Sequence, residues 1–237
     1  MKGILLVDKP SGWTSFDVVN YVRRQISRVE NKKPKNIKVG HAGTLDPFAT
    51  GLLILFVGKD YTRKTESFMK KNKTYEFEIV LGKTSSTGDP EGKIVKASDL
   101  KPTNEQINKT LMQFQGKIEQ IPPIYSAIKI DGIRSYRLAR KGQAVQHNPR
   151  PVLIENLEAL SYDYPVVKLK TTVSSGTYIR VLAEDIGRAL NTGAYTSYLR
   201  RLSIDKYNVS DAIEVKDINS ENIAELLKRF DLYLNKC

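Results

Sequence analysis

Two kinds of apolar pattern lie side by side in this chain, and together they constrain its architecture more than any other feature. Gly3 to Val7 and Leu52 to Val57 are short apolar runs unbroken by a polar residue, the pattern of strands covered on both faces. Tyr75, Phe77, Ile79 and Leu81 instead alternate with other residues, as do Val167, Leu169, Thr171 and Val173, so these strands are half buried. Thr84 to Gly92 reads as a loop, a further strand is expected from Val152, and Tyr195 to Ile204 reads as a last core strand. Longer helical spacing marks four stretches. Thr14 and Asp17 form a capping box ahead of Val18, Val22 and Ile26, and Thr103 with Gln106 opens a helix on which Ile107, Leu111 and Phe114 share a face, closed by Gly116. Ile179, Leu182, Ala183, Ile186 and Leu190 make a third helix, ending near Asn191 and Gly193, and Ile223, Leu226, Leu227 and Phe230 a fourth. Strands outnumber helices and do not alternate with them, which favours an α+β fold with a mixed, mainly antiparallel sheet flanked by helices over a doubly wound one. Residues 1–210 are expected to form one domain, with an irregular basic arm at about 124–152 that holds an Asp131-Gly132 turn and a basic helical turn from Tyr136 to Lys141, and 211–237 a short helical tail.

Charge says what such a fold meets. The 237 residues carry 38 Lys and Arg against 26 Asp and Glu, a net +12. The excess is local: from Asn20 to Lys73 thirteen basic residues face four acidic ones, while from Asp211 onward the acids lead. A polyanion, above all nucleic acid, is the leading partner, with a solvated lysine-rich surface as the plainer alternative. No stretch approaches the roughly 20 apolar residues of a membrane span, and Asp8 interrupts the N-terminal run too soon for a signal peptide. The expectation is therefore a cytoplasmic protein without a membrane partner. Cys237 is the only cysteine and His41 and His147 the only histidines, so no metal site and no thiol chemistry are expected.

The densest chemical signal is Gly40-His41-Ala42-Gly43-Thr44-Leu45-Asp46-Pro47-Phe48-Ala49-Thr50-Gly51, directly before a buried strand. An Asp-Pro turn that feeds a rigid strand can hold a carboxylate over a cleft. Read from the residues alone, Asp46 could equally be a turn-initiating aspartate that binds its own backbone, and His41 an ordinary satisfied polar side chain. Other motifs fail. Gly82-Lys83-Thr84 resembles the end of a phosphate-binding loop, but Phe77 occupies the position of its first glycine, and no dinucleotide fingerprint, nucleophile elbow or zinc-protease motif is present. No cofactor is implied. Carboxylate, tyrosine and arginine chemistry on a basic surface remains.

At that point a family resemblance enters. The chain resembles the bacterial tRNA pseudouridine synthases that isomerise the uridine at position 55 in the T-loop. It carries, in the family's order, Leu6-Val7-Asp8-Lys9-Pro10-Ser11-Gly12, His41 to Pro47 with Ala49-Thr50-Gly51, Lys73-Thr74-Tyr75, Pro122-Pro123-Ile124-Tyr125-Ser126-Ala127, Gly176-Thr177-Tyr178-Ile179-Arg180 and Leu199-Arg200-Arg201-Leu202. The resemblance implies the pseudouridine-synthase fold with a catalytic cleft. It implies Asp46 as the catalytic nucleophile, Tyr75 as the ring that stacks on the target base and Arg180 as the arginine paired with the aspartate. Tyr178 and Leu199 would line the uracil pocket, His41 would meet the opened T-loop, and Lys9 and Pro10 would shape the site. Core packing is the plainer reading of Tyr75 and Tyr178, and a surface ion pair that of Arg180.

The implied reaction accounts for these residue types. It breaks the N-glycosidic bond, turns the uracil and joins C5 to the ribose, with no redox change, hydrolysis or group donor. An ionised Asp46 would serve as nucleophile, and an arginine fork could meet both of its oxygens. The base must first be flipped from its stack, and an aromatic ring offsets part of that cost, roughly 1–3 kcal/mol. The basic segment, the first helix and Arg134, Arg137, Arg140 and Lys141 of the arm would then grip T-arm phosphates, with strong salt dependence. Many members continue into a small RNA-binding PUA domain, for which the sequence after Phe230 shows no counterpart. The expectation is thus a short-form, stand-alone monomeric enzyme that needs no guide RNA. A tRNA-binding folding chaperone with dispensable catalysis, and a pseudouridine synthase acting on another RNA, are the alternatives.

Overall fold

A computed structural model describes residues 1–234 apart from 127, 131 and 144, and without the side chains of 136, 140 and 231–234. Ala127 of the fourth motif, Asp131 of the expected turn, the Arg140 side chain and Cys237 therefore lie outside the described residues. In chain order the elements are β1 (Gly3–Lys9), α1 (Ser15–Glu30), β2 (Val39–His41), β3 (Thr50–Val57), α2 (Lys59–Thr62), α3 (Thr65–Met69), β4 (Lys73–Leu81), β5 (Lys83–Ser85) and β6 (Ile94–Lys96). There follow α4 (Asn104–Gln113), β7 (Gly116–Gln120), β8 (Lys129–Ile130), β9 (Ile133–Arg134), α5 (Ser135–Arg140), β10 (Arg150–Asp163), β11 (Val166–Val173) and α6 (Ile179–Ala189). The last are β12 (Ala194–Ile204), β13 (Tyr207–Asn208), β14 (Ile213–Glu214) and α7 (Ile223–Leu234). The fold is α+β, a mixed and mainly antiparallel sheet with flanking helices. None of the described helices is long and apolar enough to cross a membrane.

The chain divides into two compact units, residues 1–75 with 199–237, and residues 76–198. In the first, β3 is the central strand. It pairs antiparallel with β1, from Gly3 with Val57 to Lys9 with Gly51, antiparallel with β2, and parallel with β12 at Arg200 and Arg201. Both apolar runs are buried throughout, and Val18, Val19, Val22 and Ile26 of α1 close one core with Ile223, Leu227 and Phe230 of α7. The expected tail is thus built into this unit: β14 lies parallel to β1, and α7 supplies core residues. The capping box of α1 forms as its sequence indicates, Asp17 N–H donating to Thr14 Oγ1 and Thr14 N–H to Asp17 Oδ2.

In the second unit β10 pairs antiparallel with β11 and β7, and β4 alternates strictly, with Phe77, Ile79 and Leu81 buried. The capping box at Thr103 and Gln106 opens α4, which ends at Gln113; Gly116, at φ 94°, starts β7. The stretch from Thr84 to Gly92, expected as a plain loop, is the tip of the β5–β6 hairpin. Its order comes from side chains: Asp89 Oδ1 accepts from Thr87 Oγ1 and from Glu91 N–H, and Ser85 Oγ donates to the Asp89 carbonyl. The arm contains the β8–β9 hairpin and α5. Its base is tied by Ser135 Oγ, which donates to the Ile124 carbonyl and lies 3.0 Å from His147 Nε2. Burial, then Arg150, lowers the His147 pKa.

Candidate active site

Asp46 lies half-buried in the turn between β2 and β3, where its carbonyl accepts from Ala49 N–H at 3.1 Å. Almost every peptide around it is held. Ser15 Oγ, at the start of α1, accepts from Leu45 N–H (2.8 Å) and donates to the Leu45 carbonyl (3.2 Å). Pro47 O accepts from Gly12 N–H (2.9 Å) and from Lys9 Nζ (3.2 Å), and Phe48 O from Ser11 Oγ (3.1 Å). Lys9 Nζ, fully buried, also donates to the Pro10 and Trp13 carbonyls, so Lys9 and Pro10 act through the loop that braces the Asp46 turn. A groove of about 360 Å³ lined by Gly12, Trp13, Asp17, Asn20, Tyr21 and Arg24 adjoins that loop.

The turn is also held from beneath. Arg201, 1% exposed, donates through Nε to the Leu52 carbonyl (2.7 Å) and through Nη2 to the Gly43 carbonyl (3.2 Å), the two ends of the loop. Gly51 makes that approach possible: at φ 103°, a Cβ there would stand 2.3 Å from the Arg201 carbonyl oxygen. Lys73 is buried beside it and donates to the Met69 and Lys71 carbonyls. Burial, then the Arg201 charge, pushes the Lys73 pKa down to about 8.

The other expected residues of this unit are placed as follows. His41 ends β2 opposite Leu55. Tyr75 sits on the inward face of β4, 8% exposed, in line with Phe77, and Leu199 on β12 is 5% exposed. Arg200, next to it, forms a two-pronged ion pair with Asp8, Nη1 to Oδ1 at 3.1 Å and Nη2 to Oδ2 at 2.5 Å.

Tyr178 and Arg180 belong to the second unit. Tyr178 caps α6, and Gln120 reads its backbone in both directions: Tyr178 N–H donates to Gln120 Oε1 (2.8 Å) and Gln120 Nε2 to the Tyr178 carbonyl (3.1 Å). Arg180, on the first turn of α6, is 5% exposed, which removes the surface-ion-pair reading. Its Nη1 lies 3.3 Å from Asp89 Oδ2 and donates to the Thr87 carbonyl, and its Nη2 donates to the Tyr125 carbonyl. Asp89, 4% exposed, is therefore a carboxylate of this guanidinium that the sequence reading did not assign. The signal existed: Asp89-Pro90 is an Asp-Pro pair in a glycine-rich stretch, like Asp46-Pro47. Glu184, one turn along α6, has its pKa raised by burial, against the lowering pull of Arg180. Arg201, Lys73, Ser15 and Gln120 were also missed, since nothing local marks them as buried.

Comparison with known proteins shows the chain's family. Residues 28–179 match the TruB family pseudouridylate synthase N-terminal domain. The chain is 45% identical over 219 residues to the tRNA pseudouridine synthase B of Endomicrobium trichonymphae, covering 92% of this chain and 91% of that one. It is 41% identical over 231 residues to the tRNA pseudouridine synthase B of Clostridium kluyveri, covering 98% of this chain and 77% of the relative. A chain in the crystal structure of a Cbf5-Nop10-Gar1 complex superposes with a TM-score of 0.66 at 27% identity, covering 91% of this chain and 53% of that chain.

Proposed function

The chain belongs to the TruB family of pseudouridylate synthases, and from that premise we propose that it isomerises the uridine at position 55 in the T-loop of tRNA. The reading rests chiefly on the Asp46 turn. One acidic side chain is presented by a loop whose flanking peptides are fixed by Ser11, Gly12 and Ser15 and by the buried cations Lys9 and Arg201. That is the precision a nucleophile requires. The net +12 charge suits an RNA substrate, as do the names of the relatives.

In this reading the flipped uridine meets Asp46 as nucleophile. The bond that Asp46 forms is broken again, the glycosidic bond from C1′ to N1 breaks, C5 bonds to C1′, the C5 proton leaves and N1 takes up a proton, so Asp46 is regenerated and the reaction is balanced without a further reactant. By the family resemblance Tyr75 and Leu199 of the first unit contact the base and His41 meets the opened loop, while Tyr178 and Arg180 of the second unit take the roles of a base contact and of the catalytic cation. The first helix and the arm's Arg134, Arg137 and Lys141, all exposed in the second case, hold backbone phosphates. The enzyme acts as a monomer, without a guide RNA.

The product has the mass of the substrate, so the assay follows release of tritium from uracil C5 of an unmodified T-arm RNA. The wild-type chain is expected to release it, and Asp46→Asn to bind the RNA with no turnover. Release by Asp46→Asn at a substantial rate overturns the nucleophile assignment; RNA binding by the wild type without release turns the reading toward a chaperone or another RNA.

A further inference from the structure

We propose that Arg201 is a positioning residue for the isomerisation, a buried staple that joins the two ends of the loop presenting Asp46. The inference rests on the catalytic reading of Asp46 and adds to it a residue that touches neither base nor ribose.

Arg201 is among the most deeply buried large side chains of the molecule, yet among the described residues neither it nor its neighbour Lys73 has a carboxylate within ion-pair distance. Both guanidinium contacts are backbone carbonyls, Gly43 and Leu52, three residues before Asp46 and six after it. Burying a cation that no anion compensates is unfavourable, and an apolar side chain of similar volume in a strand is a more stable choice. What an apolar side chain lacks is a fork. The planar guanidinium sets two N–H vectors at a fixed angle and so holds Gly43 and Leu52 at a fixed separation, which a lysine, a point charge on a flexible stem, does not.

Three further features point to the same purpose. The parallel pairing of Arg201 with Gly51 anchors the staple in the sheet rather than in a loop. Gly51 has no Cβ where one would strike the Arg201 carbonyl, so the β3 backbone approaches closely. Gly43 lies directly over the cations, its missing Cβ 3.6 Å from Lys73 Cε and 3.7 Å from Arg201 Nη1. The Gly43 end of the loop thus rests on two positive side chains. Misplacing a reacting group by about an ångström can cost around a hundredfold in rate with binding intact.

The test separates positioning from folding and from RNA affinity. Arg201→Lys and Arg201→Met are compared with wild type by urea unfolding, by the dissociation constant for T-arm RNA, and by single-turnover tritium release corrected for the folded fraction. The expected result is a single-turnover rate about 10- to 100-fold lower in Arg201→Lys and lower still in Arg201→Met, with dissociation constants within about twofold of wild type. Equal rates in wild type and Arg201→Lys overturn the proposal. So does a loss fully explained by unfolded protein, or by weaker RNA binding. If neither variant reaches a native fold, Arg201 is a folding determinant and the proposal also fails. A wild-type chain silent on T-arm RNA is a different outcome: it overturns the functional reading itself, and this inference with it.

Discussion

Removing the charge of Asp89 tests how the second unit holds Arg180. The two side chains are 4% and 5% exposed and their closest atoms 3.3 Å apart, so at an effective dielectric constant of about 20 their attraction is about 5 kcal/mol. Asp89→Asn keeps the Oδ1 position that accepts from Thr87 Oγ1 and Glu91 N–H, and turns the other oxygen into an amide donor facing a guanidinium. The guanidinium retains the Thr87 and Tyr125 carbonyls, so the loss belongs at the lower end of the 3–5 kcal/mol typical of a broken buried pair, about 3 kcal/mol. For a chain of this length that is roughly 6–12 °C in Tm. The decisive assay is a double-mutant cycle by urea denaturation: wild type, Asp89→Asn, Arg180→Met and both together. A coupling energy of about 2 kcal/mol or more is expected, because once either partner is gone the second change no longer breaks their mutual attraction. An Asp89→Asn variant within about 0.5 kcal/mol of wild type, or a coupling energy near zero, would refute the reasoning.

Two other outcomes follow from the first unit. Gly51→Ala must accommodate a Cβ 2.3 Å from a backbone oxygen at φ 103°, so it should lose about 3 kcal/mol or more in urea unfolding; near wild-type stability would show that β12 can withdraw at no cost. Lys73 carries a folded-state pKa of about 8 against about 10.5 in the unfolded chain, so between those values the unfolded state binds more protons and stability rises with pH. Relative to Lys73→Met, the wild-type chain should therefore gain about 2 kcal/mol from pH 7.5 to pH 10.5, the full linkage value reduced for partial solvent access, and parallel stability curves would contradict the assignment.

What was legible in the sequence is what short-range physics controls. Period-two alternation put Phe77, Ile79 and Leu81 on one face of β4, and the two capping boxes formed where a threonine and its partner three residues on required them. The Asp46 turn was legible because glycine, Asp-Pro and a following apolar run are neighbours in the chain, and the resemblance that identified the fold is itself a string of such local motifs. The arm's helical turn was legible and forms as α5, whereas the Thr84–Gly92 hairpin was missed because its order comes from hydroxyls and a carboxylate folding back on their own backbone.

Tertiary structure decided which charges are buried and what they touch. Arg180 meets Asp89 across 91 positions and Arg201 reaches Gly43 across 158, separations at which no periodicity carries information. The composition shows an excess of cations but not that Lys9, Lys73 and Arg201 leave the surface to bind backbone carbonyls. A cation is buried only where the fold supplies acceptors to replace water; Lys73 finds Met69 and Lys71 close by in the chain, but Pro47 reaches Lys9, and Gly43 and Leu52 reach Arg201, only after the strands have assembled. The sequence by itself marked Asp46 as the candidate side chain; the packed strands decided how firmly its turn is held.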